Sequence, residues 1–143
     1  MFKKILVATD GSQASLEAAR LADRYAEKGL VEEIHLVSVG TDFADGKLQV
    51  TVASFDDLNS FQLEQGQKIL DETAKELTHA AKVVKKSLLG HTATVICDYA
   101  EQNKCDMIIM GSKGNGQIKG LLLGSVSTRV LHYAKVPVVI VKG

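Results

Sequence analysis

The chain has 143 residues and a formal net charge of zero, with 17 Lys+Arg against 17 Asp+Glu. Charged residues make up 24% and hydrophobic ones 45%, which excludes intrinsic disorder, and the missing basic surplus excludes a general nucleic-acid binder. With 4 Phe, 3 Tyr and no Trp the core must be aliphatic, and the length fits one domain spanning 1–143.

The predicted elements alternate between strand and helix. Lys4–Thr9 is a short aliphatic run with a β-branched bias, the pattern of a buried strand. Ser12 is placed to cap a first helix, with Ala14, Ala18, Leu21, Ala22 and Tyr25 on one face and Gly29 just past its end. Ile34–Val39 reads as the second strand. The polar stretch from Gly40 to Thr51, with Asp42, Asp45 and Gly46, reads as a loop. Ser54-Phe55-Asp56-Asp57 has the form of a capping box, and the spacing of Leu63, Gly66, Leu70, Ala74, Leu77 and Ala81 predicts a long helix to about His79.

Val83–Leu89 is the third predicted strand, and Thr92 the expected cap of a third helix carrying Ala93, Ile96, Cys97 and Ala100 inward. Asp106–Met110 reads as a strand buried on both faces. A glycine-rich loop follows from Gly111 to Gly124, then a helix opening at Ser125 with Val126, Val130 and Ala134 aligned. Val136–Val141 is the last predicted strand. This βα alternation implies a mainly parallel sheet covered by helices on both faces.

Composition and spacing also narrow the compartment and the chemistry. The apolar run Ile5–Ala8 stops at Thr9-Asp10, too short for a secretory signal, and no run approaches the roughly 18 residues of a membrane helix. A cytoplasmic protein without membrane contact is expected. Cys97 and Cys105 form no CxxC and the four histidines are scattered, so no metal set or disulfide framework follows.

Ligands of an open parallel sheet bind beyond the carboxyl ends of its strands, where the strand order reverses. Two such ends carry chemistry here: Thr9-Asp10-Gly11-Ser12, and Met110-Gly111-Ser112-Lys113-Gly114 with its continuation through Asn115, Gly116 and Gly120 to Gly124-Ser125-Val126-Ser127. Glycines without Cβ let backbone N–H groups approach phosphate oxygens. The start of the Ser125 helix offers N–H groups and a positive dipole end. Ser125 and Ser127 are candidate hydroxyl donors. The Walker spacing is absent, because Gly116 is followed by Gln117-Ile118, and GxGxxG fails at Lys119. A glycine loop that is only a turn, and an Asp10 that only caps a helix, are the plain alternatives.

Gly111-x2-Gly114-x9-Gly124-Ser125 resembles the G-x2-G-x9-G-(S/T) signature of the ATP-binding universal stress proteins. Lys4–Ser12, Met107–Gly114, Leu122–Ser127 and Val136–Val141 are similar to that family in order and spacing, so the resemblance covers essentially the whole chain. It implies an α/β fold with a five-stranded parallel sheet in order 3-2-1-4-5 and helices on both faces, Rossmann-like and adenine nucleotide alpha hydrolase-like. It further implies that Ala8, Thr9, Asp10 and Val39 line the adenine and ribose end. Met110, Gly111, Lys113, Gly114, Gly124, Ser125, Val126 and Ser127 then hold the rest of ATP, or of ADP or AMP, with Mg²⁺ or Mn²⁺. The chain departs from the family in Ala8, often proline there, and in Gly90-His91-Thr92, where Gly-Asp-Pro is common.

The function expected from the residues and the resemblance is a nucleotide-dependent stress-response protein. Asp10 is the only acid near the loop and no general base accompanies it, so hydrolysis is at most slow and no catalytic residue is assigned. The alternative is an interaction protein of the same family that binds no nucleotide and acts through dimer or partner contacts. A Ser-His-Asp hydrolase is excluded by the missing Gly-x-Ser-x-Gly, and a phosphoacceptor receiver by Leu89-Gly90 where an acid is required. Val138–Val141 forms an apolar sheet edge guarded only by Pro137 and Lys142, so a homodimer through residues 136–142 is expected. Val139 is the expected donor of an outward-facing N–H on that edge. The sequence names no protein partner.

Overall fold

A computed structural model of the chain describes residues 1–42, 52–114 and 123–143. Its elements in order are β1 (Phe2–Ala8), α1 (Gln13–Glu27), β2 (Val31–Gly40), α2 (Val52–Ala74), β3 (Lys82–Leu89), α3 (Thr92–Gln102), β4 (Met107–Gly111), α4 (Ser125–Tyr133) and β5 (Val138–Val141). The strands form one parallel sheet in the order β3-β2-β1-β4-β5, as the resemblance implied. β1 pairs with β4 through Ile5–Met107, Leu6–Ile108 and Val7–Ile109. The winding reverses between these two strands, so a crevice opens at their carboxyl ends. Asp45 and Gly46 of the polar stretch, and Asn115, Gly116 and Gly120 of the glycine loop, lie outside the described residues.

Alternation along each strand splits the core into two layers. Ile5, Val7, Ile34, Leu36, Met107 and Ile109 pack against Ala18, Ala19 and Ala22 of α1 and Leu70 of α2. Leu6, Val37, Ile108 and Met110 pack on the other face against Ile96 and Tyr99 of α3 and Val130 of α4. Three alanines in a row of helix turns bring α1 close to the sheet, which is how an interior almost without aromatics fills its volume.

Local signals set the helix ends. Ser12 caps α1, its hydroxyl accepting the Ser15 N–H. Gly29 adopts φ +71°, and the N–H groups of Gly29 and Leu30 bond the carbonyls of Ala26 and Tyr25, a Schellman ending. Three expectations need correction. α2 spans Val52–Ala74, so Ser54 lies inside it, and it stops short of His79. The N–H groups of Lys75, Glu76 and Leu77 bond carbonyls three residues back, which tightens the chain into turns while Leu77 stays buried. The apolar spacing therefore outlasts the helix. Thr92 is the first helical residue of α3, and the cap position belongs to His91; α4 opens at Ser125 as expected, with Gly124 at its cap.

The segment after α2 is held by one carboxylate. Asp23 on α1 accepts the His79 N–H (2.8 Å), the His79 ring Nδ1 (2.8 Å) and the Thr78 hydroxyl (3.2 Å). The hydrogen bond to Asp23 raises His79 above its ordinary value of 6.5. Partial burial pushes Asp23 upward, but the bonds from His79 outweigh it and hold the carboxyl below its ordinary 3.8. A raised histidine stabilises the fold fully below its unfolded value and ceases to as pH rises through its folded one. The lowered aspartate contributes above its unfolded value and loses that contribution as pH falls through its folded one. The pair is therefore strongest between about pH 4 and 6.5. His79→Ala is expected to lower the melting temperature more at pH 6 than at pH 8.5; an equal loss at both would contradict the pairing.

The register of β5 revises the expectation for Val139. Ile108 N–H donates to the Pro137 carbonyl (3.0 Å) and Ser112 N–H to that of Val141 (2.8 Å). In a parallel ladder alternate residues bond the same neighbour, so Pro137, Val139 and Val141 face β4. The outward N–H groups belong to Val138 and Ile140.

Candidate functional site

The turn after β1 is built by its own side chains. Asp10 Oδ1 accepts the Ser12 N–H (2.9 Å), Thr9 Oγ1 accepts the Gly11 N–H (3.2 Å), and Gly11 takes φ +81°. This Asx turn delivers Ser12 to its capping position and leaves the other Asp10 oxygen on the glycine-loop side. Capping and a site role for Asp10 are thus compatible. The Thr9 hydroxyl belongs to a buried net that ties β1 to both neighbouring helices. It meets Ser15 Oγ at 3.1 Å and Thr73 Oγ1 at 2.8 Å, and Thr73 donates to the Ile69 carbonyl.

Across the switch point, the two ends of the glycine loop are clamped together. The Ser112 carbonyl accepts the Gly124 N–H (2.7 Å) and the Ser127 hydroxyl (2.8 Å), which also reaches the Gly124 carbonyl (3.1 Å). The Ser127 hydroxyl thus fastens the two ends of the loop to each other, while the residue itself lines the cleft. The first helical bond of α4 runs from Thr128 N–H to Gly124, which leaves the preceding first-turn N–H groups directed out of the helix end.

The two glycines of the Gly111–Gly114 pair have different reasons for being glycine. A Cβ on Gly111 would lie 2.6 Å from Ala14 Cβ and 2.8 Å from its carbonyl carbon, so α1 itself forbids a side chain there. A Cβ on Gly114 would lie 2.3 Å from Asp10 Oδ2. Gly114 is where the two loops of the switch point touch.

These loops enclose a cleft of about 180 Å³. Of the residues expected at a site, Ala8, Thr9, Asp10, Val39, Met110, Gly111, Lys113, Gly114, Gly124, Val126 and Ser127 line it. Ser125 does not; as the first residue of α4 it is exposed. Ser12, Ser15, Val37, Thr92, Ile96 and Ser112 complete the wall and were not among the expected site residues, although alternation from Val39 and Met110 leads directly to Val37 and Ser112. One wall is apolar, built from Val37, Val39, Ile96, Met110 and Val126. The same cleft carries Asp10, Lys113 and the first turn of α4, so anion-seeking groups and apolar side chains line one cavity.

The rest of the molecule adds little competing chemistry. Burial pushes the Cys105 thiol up to about 11, which removes it as a nucleophile near neutral pH. Among the described residues no three ligating side chains gather into a metal site. No helix among them is long and apolar enough to cross a membrane.

Comparison with known proteins gives one consistent result. The sequence model of the universal stress protein family matches residues 1–142. A universal stress protein of Methanocaldococcus jannaschii is 34% identical over 99% of this chain and 83% of its own length. The universal stress protein YxiE of Bacillus subtilis is 32% identical over 99% of this chain and 100% of its own. The solved structure of the hypothetical protein MJ0577 superposes with a TM-score of 0.85 at 29% identity, over 100% and 97% of the two chains. More distant structures share the fold: a universal stress protein in complex with cAMP (TM-score 0.70, 22% identity, 99% and 97% covered) and one from Arabidopsis thaliana with AMP bound (0.65, 17%, 98% and 91%).

Proposed function

The chain belongs to the universal stress protein family, and we propose that it is a cytoplasmic, nucleotide-dependent stress-response protein that binds ATP, ADP or AMP in the switch-point cleft. The observation that carries this reading is the pairing of an apolar slot with an anion-seeking helix end in one cleft. Val39, Met110 and Val126 take the flat base, and Asp10 stands near the sugar. Lys113, the Gly114 backbone and the first turn of α4 take the phosphates. The AMP and cAMP complexes of relatives with the same fold support an adenine nucleotide.

A divalent cation, Mg²⁺ or Mn²⁺, enters with the phosphates. The donor set fits that route: among the described residues Asp10 is the acid lining the cleft, so the nucleotide supplies most ligands and Asp10 one carboxylate. The same sparseness of acids limits hydrolysis to a slow background.

A protein without Trp and with 3 Tyr absorbs weakly at 280 nm. Purified protein is therefore expected to show excess absorbance near 260 nm, with adenine nucleotide released on denaturation. One observation favours the second reading, a family member acting without nucleotide: Gly111 is explained by α1 packing alone, so its presence does not require a ligand. Clean apoprotein that is also indifferent to added ATP would decide for that reading.

The two sheet edges differ, and the difference supports a homodimer through residues 136–142. β3 displays Lys82, Lys85 and Lys86, the usual protection of an edge, whereas β5 displays Val138 and Ile140. A second copy of β5 pairing about a twofold axis covers the unprotected edge. Ile140→Pro removes an outward N–H without touching the bonds to β4. It is expected to yield a folded monomer by light scattering where the wild type is a dimer. A wild type that stays monomeric at high micromolar concentration would overturn the dimer.

A further inference from the structure

The turn that carries Asp10 rests on four buried hydroxyls, those of Thr9, Ser12, Ser15 and Thr73, each bonded to another of the set. Their protons follow by elimination, because a carbonyl only accepts. Thr73 donates to the Ile69 carbonyl (2.8 Å) and Ser15 to the Ser12 carbonyl (2.9 Å). Thr9 therefore directs its proton at the Ser15 and Thr73 oxygens (3.1 and 2.8 Å) and keeps its lone pairs for the Gly11 N–H (3.2 Å).

Three of the four belong to the turn and α1. Thr73 does not: it is a fully buried residue of α2, 64 positions along the chain from Thr9. No described residue of α2 lines the cleft, yet one turn of that helix underlies the Asp10 turn at two points. Thr73 meets Thr9, and Ile69 stands at an ordinary contact distance, 3.7 Å, from where a Cβ on Gly11 would lie. A valine would fill the same buried volume without a polar atom, so what the Thr73 hydroxyl adds is its hold on Thr9.

We propose, resting on the nucleotide reading above, that Thr73 is a positioning residue for the cleft, which it does not itself touch. Its hydroxyl fixes Thr9 and, through the Gly11 N–H, the turn from which Asp10 reaches the site. Thr9 is gripped from two sides, by Ser15 of α1 and Thr73 of α2, so the place of Asp10 depends on both helices. Asp10 Oδ2 already lies 2.3 Å from where a Cβ on Gly114 would stand, so a shift of a few tenths of an ångström in the turn is felt where the two loops meet. The seat of α2 is thereby part of the binding machinery.

Three variants separate the hydroxyl from the packing around it. Thr73→Val puts a methyl 2.8 Å from the Thr9 oxygen, where carbon and oxygen need about 3.3 Å or more, so Thr9 or α2 must move. Thr73→Ala removes hydroxyl and methyl together, and Thr73→Ser removes the methyl alone. Calorimetric titration with AMP and ATP is expected to show about a three- to tenfold loss of affinity in Val and Ala, equal for the two nucleotides, and near wild-type affinity in Ser. Melting without ligand should follow the methyl instead, with Ser and Ala both below wild type. Should Val not fold, Ser against Ala makes the same comparison. Wild-type affinity in Val or Ala, a loss in Ser as large as in Ala, or a loss confined to ATP would each overturn the assignment. Wild-type protein that binds neither nucleotide would instead remove the nucleotide reading, and this assignment with it.

Discussion

Gly114→Val is expected to lower nucleotide affinity by about tenfold or more while leaving the fold intact. The argument is steric and electrostatic together. Asp10 Oδ2 lies 2.3 Å from where a Cβ on Gly114 would stand, so any side chain must displace the carboxylate or the loop. Displacing Asp10 also releases the Ser12 N–H it accepts, and with it the turn that opens α1. Gly114 is itself exposed, so the loop has room to move outward and the core is not asked to yield. The cost therefore falls on the meeting of the two loops, where base, sugar and phosphate must be held at once. Titration of the variant with ATP, beside its melting curve, checks both halves of the expectation. Unchanged affinity would reduce the loop to a turn.

Gly111→Ala is expected to do the reverse, lowering stability without acting first on the ligand. Its Cβ would stand 2.6 Å from Ala14 Cβ, 2.8 Å from Ala14 C and 3.0 Å from Ser15 N. Two of these are backbone atoms of a helix whose alanine face is already pressed on the sheet, so nothing flexible gives way. Overpacking of this kind costs about 1–3 kcal/mol, or several degrees in melting temperature for a chain of this size. Thermal unfolding in the absence of nucleotide measures it. A variant as stable as wild type would show that α1 does not set this glycine.

These two glycines stand three apart in one signature, and the sequence treats them alike. Only the packing partner separates them: helix α1 for Gly111, a carboxylate of the facing loop for Gly114. Much else was legible. The strand–helix alternation, the Ser12 cap and the Gly29 ending follow from periodicity and turn chemistry, because each is set within a few residues, and the order of the sheet was implied by the family resemblance. What was not legible depends on contacts between distant segments. α2 stops at Ala74 because the Asp23 clasp takes over the chain beyond it, while buried Leu77 keeps the apolar spacing going. That the Ser127 hydroxyl fastens the loop through the Ser112 carbonyl is a contact across 15 residues that no local pattern announces. Val139 looked like an edge donor because the ladder register with β4, which turns it inward, is a property of two strands and not of one. Ser112 was hidden as an unspecified position between the signature glycines.

The central claim is that the switch-point cleft is an adenine-nucleotide site, and calorimetric titration of the purified, nucleotide-stripped wild type with ATP and Mg²⁺ tests it most directly. The account predicts saturable binding at one site per chain, accompanied by a rise in melting temperature that grows with ligand concentration as binding to the native state alone requires. No saturable heat, together with a melting temperature unmoved by millimolar ATP, ADP or AMP, would contradict it.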